Sequence, residues 1–307
     1  MKLARATAGA IQSTLSATTW FITSCLVLLQ TSLVQSQDLS GKQIFERMLR
    51  VYAEANTYQD QGSVQTDFYE LGQKEPKITN TLNFTTAYNR QAARFRFQYE
   101  VQDSFEYKGK KIGRATPPEK MVIWSQGNNV QRWWTIDDST SREASLGDAL
   151  AVATGVSGTS SRKVPYLLMP KATDAGWGID SLQNVKLLGT DVLDKASCYR
   201  LTGHLANDYW KNKEILLWVD QKTFLLRRVD EADSSISKPK QLVKKSLTYQ
   251  PILNQPVSEE ALTFEPPRPV GKSSIKSTVR DMLYPVISLV GVSCLIYLLS
   301  KRKKQRL

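Results

Sequence analysis

The chain of 307 residues contains one histidine, His204, and three cysteines, Cys25, Cys198 and Cys294, so its stock of groups for nucleophilic, redox or metal chemistry is small. One imidazole cannot build a multi-histidine metal centre, and no His/Cys cluster has the spacing of metal ligands. A nucleophile elbow and a phosphate-binding loop are both absent. Cys198 and His204 stand six residues apart in one apparent strand, which places them on the same face without placing them in contact. The carboxylate pairs Asp137-Asp138 and Glu259-Glu260 are adjacent, and neighbours on a strand point to opposite faces, so they read as solvated turn or helix-start residues. Gly155-Val156-Ser157-Gly158 is glycine-rich but follows a helical stretch where a phosphate loop would follow a strand; it reads as a helix end and a loop. Asn83-Phe84-Thr85 is a glycosylation acceptor only in a eukaryotic secretory route. These observations lead to an expectation of no catalytic residues, no metal and no cofactor.

What remains is apolar. Phe95, Phe97, Tyr99, Trp124, Trp134, Leu216 and Trp218 all fall within apparent strands. Such residues are core if helices fully cover the sheet. If a curved sheet is only partly covered, they are candidates to line a cavity for an apolar ligand. The alternation of residues leaves open which face of each strand would line it.

The elements that must position these residues begin with a helix. Ser40-Gly41-Lys42-Gln43 matches a capping box, and Ile44, Phe45, Met48, Leu49, Tyr52 and Ala55 then fall on one helical stripe. Runs of period two follow from Gly62, across 78–89 and across 94–99. Residues 121–124 and 130–134 flank the turn 126–129 as a hairpin. Further hairpins join 185–192 to 197–203 around Asp194-Lys195, and 214–219 to 224–230 around 220–223, and a last strand spans 242–249. Segments 145–155 and 162–169 read as short helices placed midway, where they can cover a concave sheet, and 256–262 reads as another. Successive hairpins imply an antiparallel sheet. Nine or ten strands in one sheet imply strong curvature, so the expected fold is mainly β with helices (α+β), an incomplete antiparallel barrel covered by helices.

The two ends carry membrane signals. The formal net charge is +12, but five positives lie in the last seven residues and two more are Lys2 and Arg5, so the remainder of the chain holds about +5. That surplus argues against a nucleic-acid binder. Lys2 and Arg5, an apolar stretch to Leu29 and small residues before Gln37 read as a signal peptide, residues 1–36. An uncleaved anchor, or lipidation at Cys25, is the alternative. Residues 37–270 form the expected extracytoplasmic domain and 271–281 a basic linker. Segment 282–299, from Met282 to Leu299, has no charged residue and reads as a transmembrane helix followed by a basic cytoplasmic tail, 300–307. This makes a single-pass protein of the inner or plasma membrane. Removal of the signal leaves Cys198 as the ectodomain's one cysteine, so no intramolecular disulfide is expected there.

Helix 44–55, Thr57-Tyr58, Gly62, Arg94-Phe95-Arg96-Phe97-Gln98-Tyr99 and Val122-Ile123-Trp124-Ser125-Gln126-Gly127 resemble the lipoprotein-localisation carriers, the LolA/LolB-like superfamily. Leu187-Leu188-Gly189, Cys198-Tyr199-Arg200-Leu201, Leu217-Trp218-Val219-Asp220, Thr223-Phe224-Leu225-Leu226-Arg227-Arg228 and Phe264-Glu265-Pro266-Pro267 continue the likeness in order over about 41–267. It is strongest to the periplasmic, outer-membrane lipoprotein-sorting-like branch, whose members lack an assigned function. The resemblance implies a half-barrel whose cavity takes acyl chains of lipids or lipoproteins. A chain that ends in a span departs from the soluble or N-terminally lipidated carriers, and so favours lipid binding over long-distance shuttling. Arg94 and Arg96 read as solvent-face residues. The implied partners are an acylated lipid or lipoprotein, the membrane and, in an alternative reading as an envelope-sensing or partner-binding module, an envelope protein.

Overall fold

A computed structural model describes residues 39–70, 72–172, 178–205, 214–234 and 241–267. The expected signal segment, linker, span and tail lie outside these residues. Among the described residues no helix is long and apolar enough to cross a membrane.

Helix α1 (Gly41–Ala53) starts where the sequence places it. Ser40 accepts a hydrogen bond from the Gln43 amide while the Gln43 side chain accepts one from the Ser40 amide, and Ile44, Phe45, Met48 and Tyr52 form the buried stripe. The reciprocal cap satisfies two of the amides that a helix start leaves unpaired.

Strands β1 (Thr57–Glu70), β2 (Ile78–Asn89), β3 (Arg94–Val101), β4 (Ser104–Tyr107), β5 (Lys110–Gly113), β6 (Lys120–Gln126), β7 (Asn129–Trp134) and β8 (Ser139–Glu143) form the first half of the sheet. Helices α2 (Leu146–Thr154) and α3 (Val164–Leu168) follow, with a 3-10 turn before α3 and another after it. Strands β9 (Leu182–Leu193), β10 (Ala196–Leu205), β11 (Glu214–Asp220), β12 (Leu226–Ser234), β13 (Gln241–Tyr249) and β14 (Ile252–Leu253) form the second half, and α4 (Glu259–Leu262) comes last.

The spatial order is β8-β7-β6-β3-β2-β1-β13-β12-β11-β10-β9, antiparallel throughout, with β4, β5 and β14 off this path. Because β8 and β9 are opposite edges, the chain between them must cross the sheet, and it does so as α2, α3 and their connecting turns. That crossing covers one face. The sheet is therefore open, a mainly β fold with helices, in agreement with the expected class.

The hairpin turns also follow the sequence. Asp194 and Lys195 both adopt positive φ, 48° and 68°, as the two-residue turn between β9 and β10 requires. The structure has more strands than the sequence suggests. Strands β4, β5, β8 and β14 are short, and β5 is exposed at every residue, so no apolar alternation marks them. Strand β1 also begins five residues earlier than Gly62, because Asp60 is a polar residue in an inward position and breaks the pattern.

Candidate functional site

The helix-covered face of the sheet can be followed by register from strand to strand. On β1 it presents Tyr58, Asp60, Gly62 and Val64, paired across β2 with Tyr88, Thr86, Phe84 and Leu82. These continue onto β3 as Phe95 beside Tyr88, Phe97 beside Thr86 and Tyr99 beside Phe84. In the other direction Gly62 and Val64 lie beside Tyr249 and Leu247 of β13, and Leu247 beside Val229 of β12. Gly62 is required here, since a Cβ at that position would stand 2.2 Å from the Phe84 ring and 2.4 Å from the Thr248 carbonyl. The Phe84 ring, lying over Gly62, stacks at 6.4 Å on Phe97 and meets Tyr249 edge-on at 5.3 Å.

The cover seats directly on this surface. Gly158, in the loop after α2, approaches Val64 so closely that a Cβ would fall 2.8 Å from a Val64 methyl. Lys163, the residue before α3, forms a buried ion pair with Glu231 of β12. The Tyr52 hydroxyl of α1 accepts a hydrogen bond from the Leu226 amide at 3.0 Å.

The structure divides the seven apolar candidates between two faces. Phe95, Phe97 and Tyr99 are all but fully buried on the helix-covered face. Trp134 shares that face through its pairing with Met121, and its indole donates to Glu119 Oε1 at 3.0 Å, where the Tyr99 hydroxyl also donates. Trp124, Leu216 and Trp218 lie on the opposite face and cannot line the same space. The reason is that aromatic side chains are covered on both sides of this sheet. Trp124 stands beside Arg96 in the register and packs against Phe264 at 5.2 Å. The Trp218 ring has the guanidinium groups of Arg200 and Arg228 over it at 5.4 and 5.9 Å, and its indole donates to Asp230 at 3.0 Å. Leu216 pairs with Thr202 on the same outer surface.

Arg94 and Arg96 hold chain rather than face free solvent. Arg94 forms an ion pair with Glu259, and Arg96 donates to the Glu260 and Thr263 carbonyls at 2.9 and 2.7 Å with its guanidinium 5.5 Å from Phe264. Together they strap α4 and Phe264 across the outer face, and Trp133 completes the aromatic contact at 5.4 Å.

A buried polar row, unmarked in the sequence, crosses the helix-covered face. Asp60 accepts from the Tyr58 hydroxyl at 2.8 Å and from the Thr86 amide at 2.8 Å. Burial pushes its carboxyl from 3.8 up to about 7, against the lowering effect of those hydrogen bonds. Burial likewise drives the phenols of Tyr52, Tyr58 and Tyr249 upward, with the Asp60 carboxylate adding to each. The Tyr249 hydroxyl is buried without a hydrogen-bond partner among the described residues. The signal available in the sequence was one polar residue at an inward position of an alternating run, which by itself looks like the end of a strand.

Cys198 and His204 do not form a reactive pair. The β10–β11 register is regular, so both project from the same side, but six residues of strand separate them by about 20 Å. The thiol is buried and donates to the Ala196 carbonyl at 3.6 Å, and burial raises its pKa, whereas a nucleophilic thiol needs the reverse. On the outer face a polar groove of about 570 Å³ is lined by Asn83, Thr85, Gln98, Glu100, Gln102 and Lys111, among others.

No family model matches this chain, and no curated protein matches it. Among solved structures it is similar to the Mycobacterium tuberculosis lipoprotein LppX, at 16% identity and a TM-score of 0.32 over 70% of this chain and 95% of that one. A LolA superfamily protein from Nitrosomonas europaea is similar at 12% identity and a TM-score of 0.29, over 74% and 99%. An outer-membrane lipoprotein-sorting protein domain from Vibrio parahaemolyticus is similar at 6% identity and a TM-score of 0.32, over 73% and 95%. These identities and scores are low, and the fold rests on the strand order and register of the chain itself.

Proposed function

We propose that this chain is a membrane-tethered extracytoplasmic protein that binds a lipid or the acyl chains of a lipoprotein, without covalent catalysis. The observation that carries the reading is the nature of the cover. The apolar row from Phe95 to Val229 is roofed by α1 with thirteen residues, α2 with nine, α3 with five, and turns. Helices this short have little stability of their own and persist through packing on the sheet. An acyl chain that takes the place of part of the roof keeps the apolar row out of water. About ten methylenes transferred from water contribute ~8 kcal/mol, enough to compete with the packing they replace. The aromatic side chains fill the face in this structure, so binding displaces the roof instead of filling a preformed void.

Native mass spectrometry of the full chain made in a lipid-rich host tests the reading. An apolar adduct, and displacement of a fluorescent fatty acid by it, are expected. An unliganded chain that also fails to bind the fluorescent fatty acid refutes it, and a reproducible protein partner crosslinked to such a chain would assign the fold to sensing instead. Export by residues 1–36 and tethering by 282–299 complete the proposal. Reporter fusions at the C-terminus that are active only in the cytoplasm are the expected result; one active outside would overturn the topology.

A further inference from the structure

Of the phenols around the Asp60 carboxyl, Tyr58 and Tyr52 are committed. Tyr58 donates to Asp60 at 2.8 Å, and the Tyr52 hydroxyl accepts from the Leu226 amide at 3.0 Å. Tyr249 is not. It is 3% exposed, pairs with Gly62, meets the Phe84 ring edge-on, and its hydroxyl bonds to nothing among the described residues. The roof loop that reaches this part of the sheet carries a second such group. Gly158 packs on Val64, the next inward residue of β1 after Gly62. Gly158 and Thr159 are both left-handed, with φ of 60° and 78°, a region that a β-branched residue rarely adopts without strain. The serines beside them turn their hydroxyls back into the chain, Ser160 to the Ser157 carbonyl at 2.8 Å and Ser161 to the Leu150 carbonyl at 3.0 Å. Thr159 Oγ1 is buried and has no partner among the described residues. The closed roof thus carries strain in its loop and an unmet hydroxyl on the loop as well as on the sheet beneath.

We infer that this seam holds the carbonyl of an acyl ester or amide, with the Tyr249 hydroxyl donating to it, and so selects neutral acyl groups over free carboxylates. The inference rests on the acyl-binding reading above and names the end of the ligand that is held. An ester carbonyl accepts and has no proton of its own, and a phenol supplies one. An anion does not fit. Burial raises the Tyr249 phenol most and the charges of Asp60 and Glu231 raise it further, so an anion placed there would face both, and the Lys163 ammonium is already paired with Glu231. A wholly apolar chain leaves the hydroxyl buried and unbonded. The same carbonyl chemistry is offered by glycerolipids and by acylated lipoproteins.

Displacement of the neutral fluorophore phenylnaphthylamine from the full chain tests it, with dodecane, methyl laurate and laurate as competitors at about pH 8, where laurate is ionised. Tyr249→Phe should weaken competition by methyl laurate about fivefold, the effect of one hydrogen bond, and leave dodecane and laurate unchanged. Its thermal melt should be no lower than that of the wild type, because the hydroxyl it removes bonds to nothing in the closed structure. Equal weakening of all three competitors, or a lowered melt, would make Tyr249 a structural residue and overturn the inference. An unchanged methyl laurate affinity would also overturn it, leaving the hydroxyl to water. Dilauroylglycerol and a diacylglyceryl-cysteine peptide distinguish the sources: each one that Tyr249→Phe weakens supplies the carbonyl, and if neither weakens the inference falls. A chain from which no competitor displaces the fluorophore refutes acyl binding itself, whereas displacement by every competitor alike in wild type and Tyr249→Phe refutes only the carbonyl site.

Discussion

Replacing Asp60 by asparagine gives the most direct test of how the interior is built. In the native chain the Asp60 carboxyl is held at about 7 by burial, whereas the same group titrates at 3.8 when solvated. The folded state therefore keeps its proton through a range where the unfolded chain has released it. Stability from this group is fully present below pH 4, falls as pH rises from 4 to 7, and is gone above 7. At about 1.36 kcal/mol per pH unit, the rise from 3.8 to about 7 corresponds to a loss of ~4 kcal/mol across that range. Groups facing Asp60 are the phenols of Tyr52, Tyr58 and Tyr249, which remain neutral over this interval and do not mask the effect. Other carboxylates act in the opposite direction: Asp220 and Glu143 are lowered, and both lose their contribution as pH falls. Those terms are common to the wild type and to Asp60→Asn, so the difference between the two unfolding free energies isolates Asp60. Urea unfolding followed by tryptophan fluorescence at intervals from pH 4 to 8 should show that difference moving by ~4 kcal/mol in favour of the variant as pH rises. A difference that stays flat within 1 kcal/mol would mean that Asp60 is solvated in the folded state, and would refute the buried polar row. Tyr58→Phe adds a second reading, since losing one donor to the carboxylate should move the midpoint of the curve to higher pH.

The remaining predictions address the roof, the sheet and the strap. Lys163→Met should destabilise the fold by about 3–5 kcal/mol, because it leaves Glu231 buried and charged, whereas Lys163→Met with Glu231→Leu should recover most of that loss in the same unfolding assay. Gly62→Val should cost at least about 1–3 kcal/mol, through overlap with the Phe84 ring and the Thr248 carbonyl, and a thermal melt unchanged from wild type would contradict the packing described. Arg96→Ala should free the segment around Phe264, which limited proteolysis near Thr263 would detect as faster cleavage without a large change in global stability.

Much of the architecture was legible residue by residue. The capping box at Ser40 and Gln43, the 94–99 alternation, the Asp194-Lys195 turn and the helices in the middle of the chain all depend on neighbours within one turn or one strand pair. Short strands such as β5 and β8 were not legible, since exposed strands have no need of an apolar period. The candidate site was legible only in part. Phe95, Phe97, Tyr99 and Trp134 share the covered face, while Trp124, Leu216 and Trp218 do not, because a strand's alternation says that two faces differ but not which of them a distant segment will cover.

By itself the sequence determined a helix followed by an antiparallel sheet, helical cover in the middle, and a scarcity of groups for catalysis, because caps, turns and period-two runs are local physics. The tertiary structure alone decided that Asp60 is buried among tyrosines, that Lys163 meets Glu231, and that Arg96 grips a segment 164 residues away. Those contacts join strands and loops brought together by the order of the sheet, and a polar side chain acquires its meaning there from the low-dielectric surroundings that only the assembled fold creates.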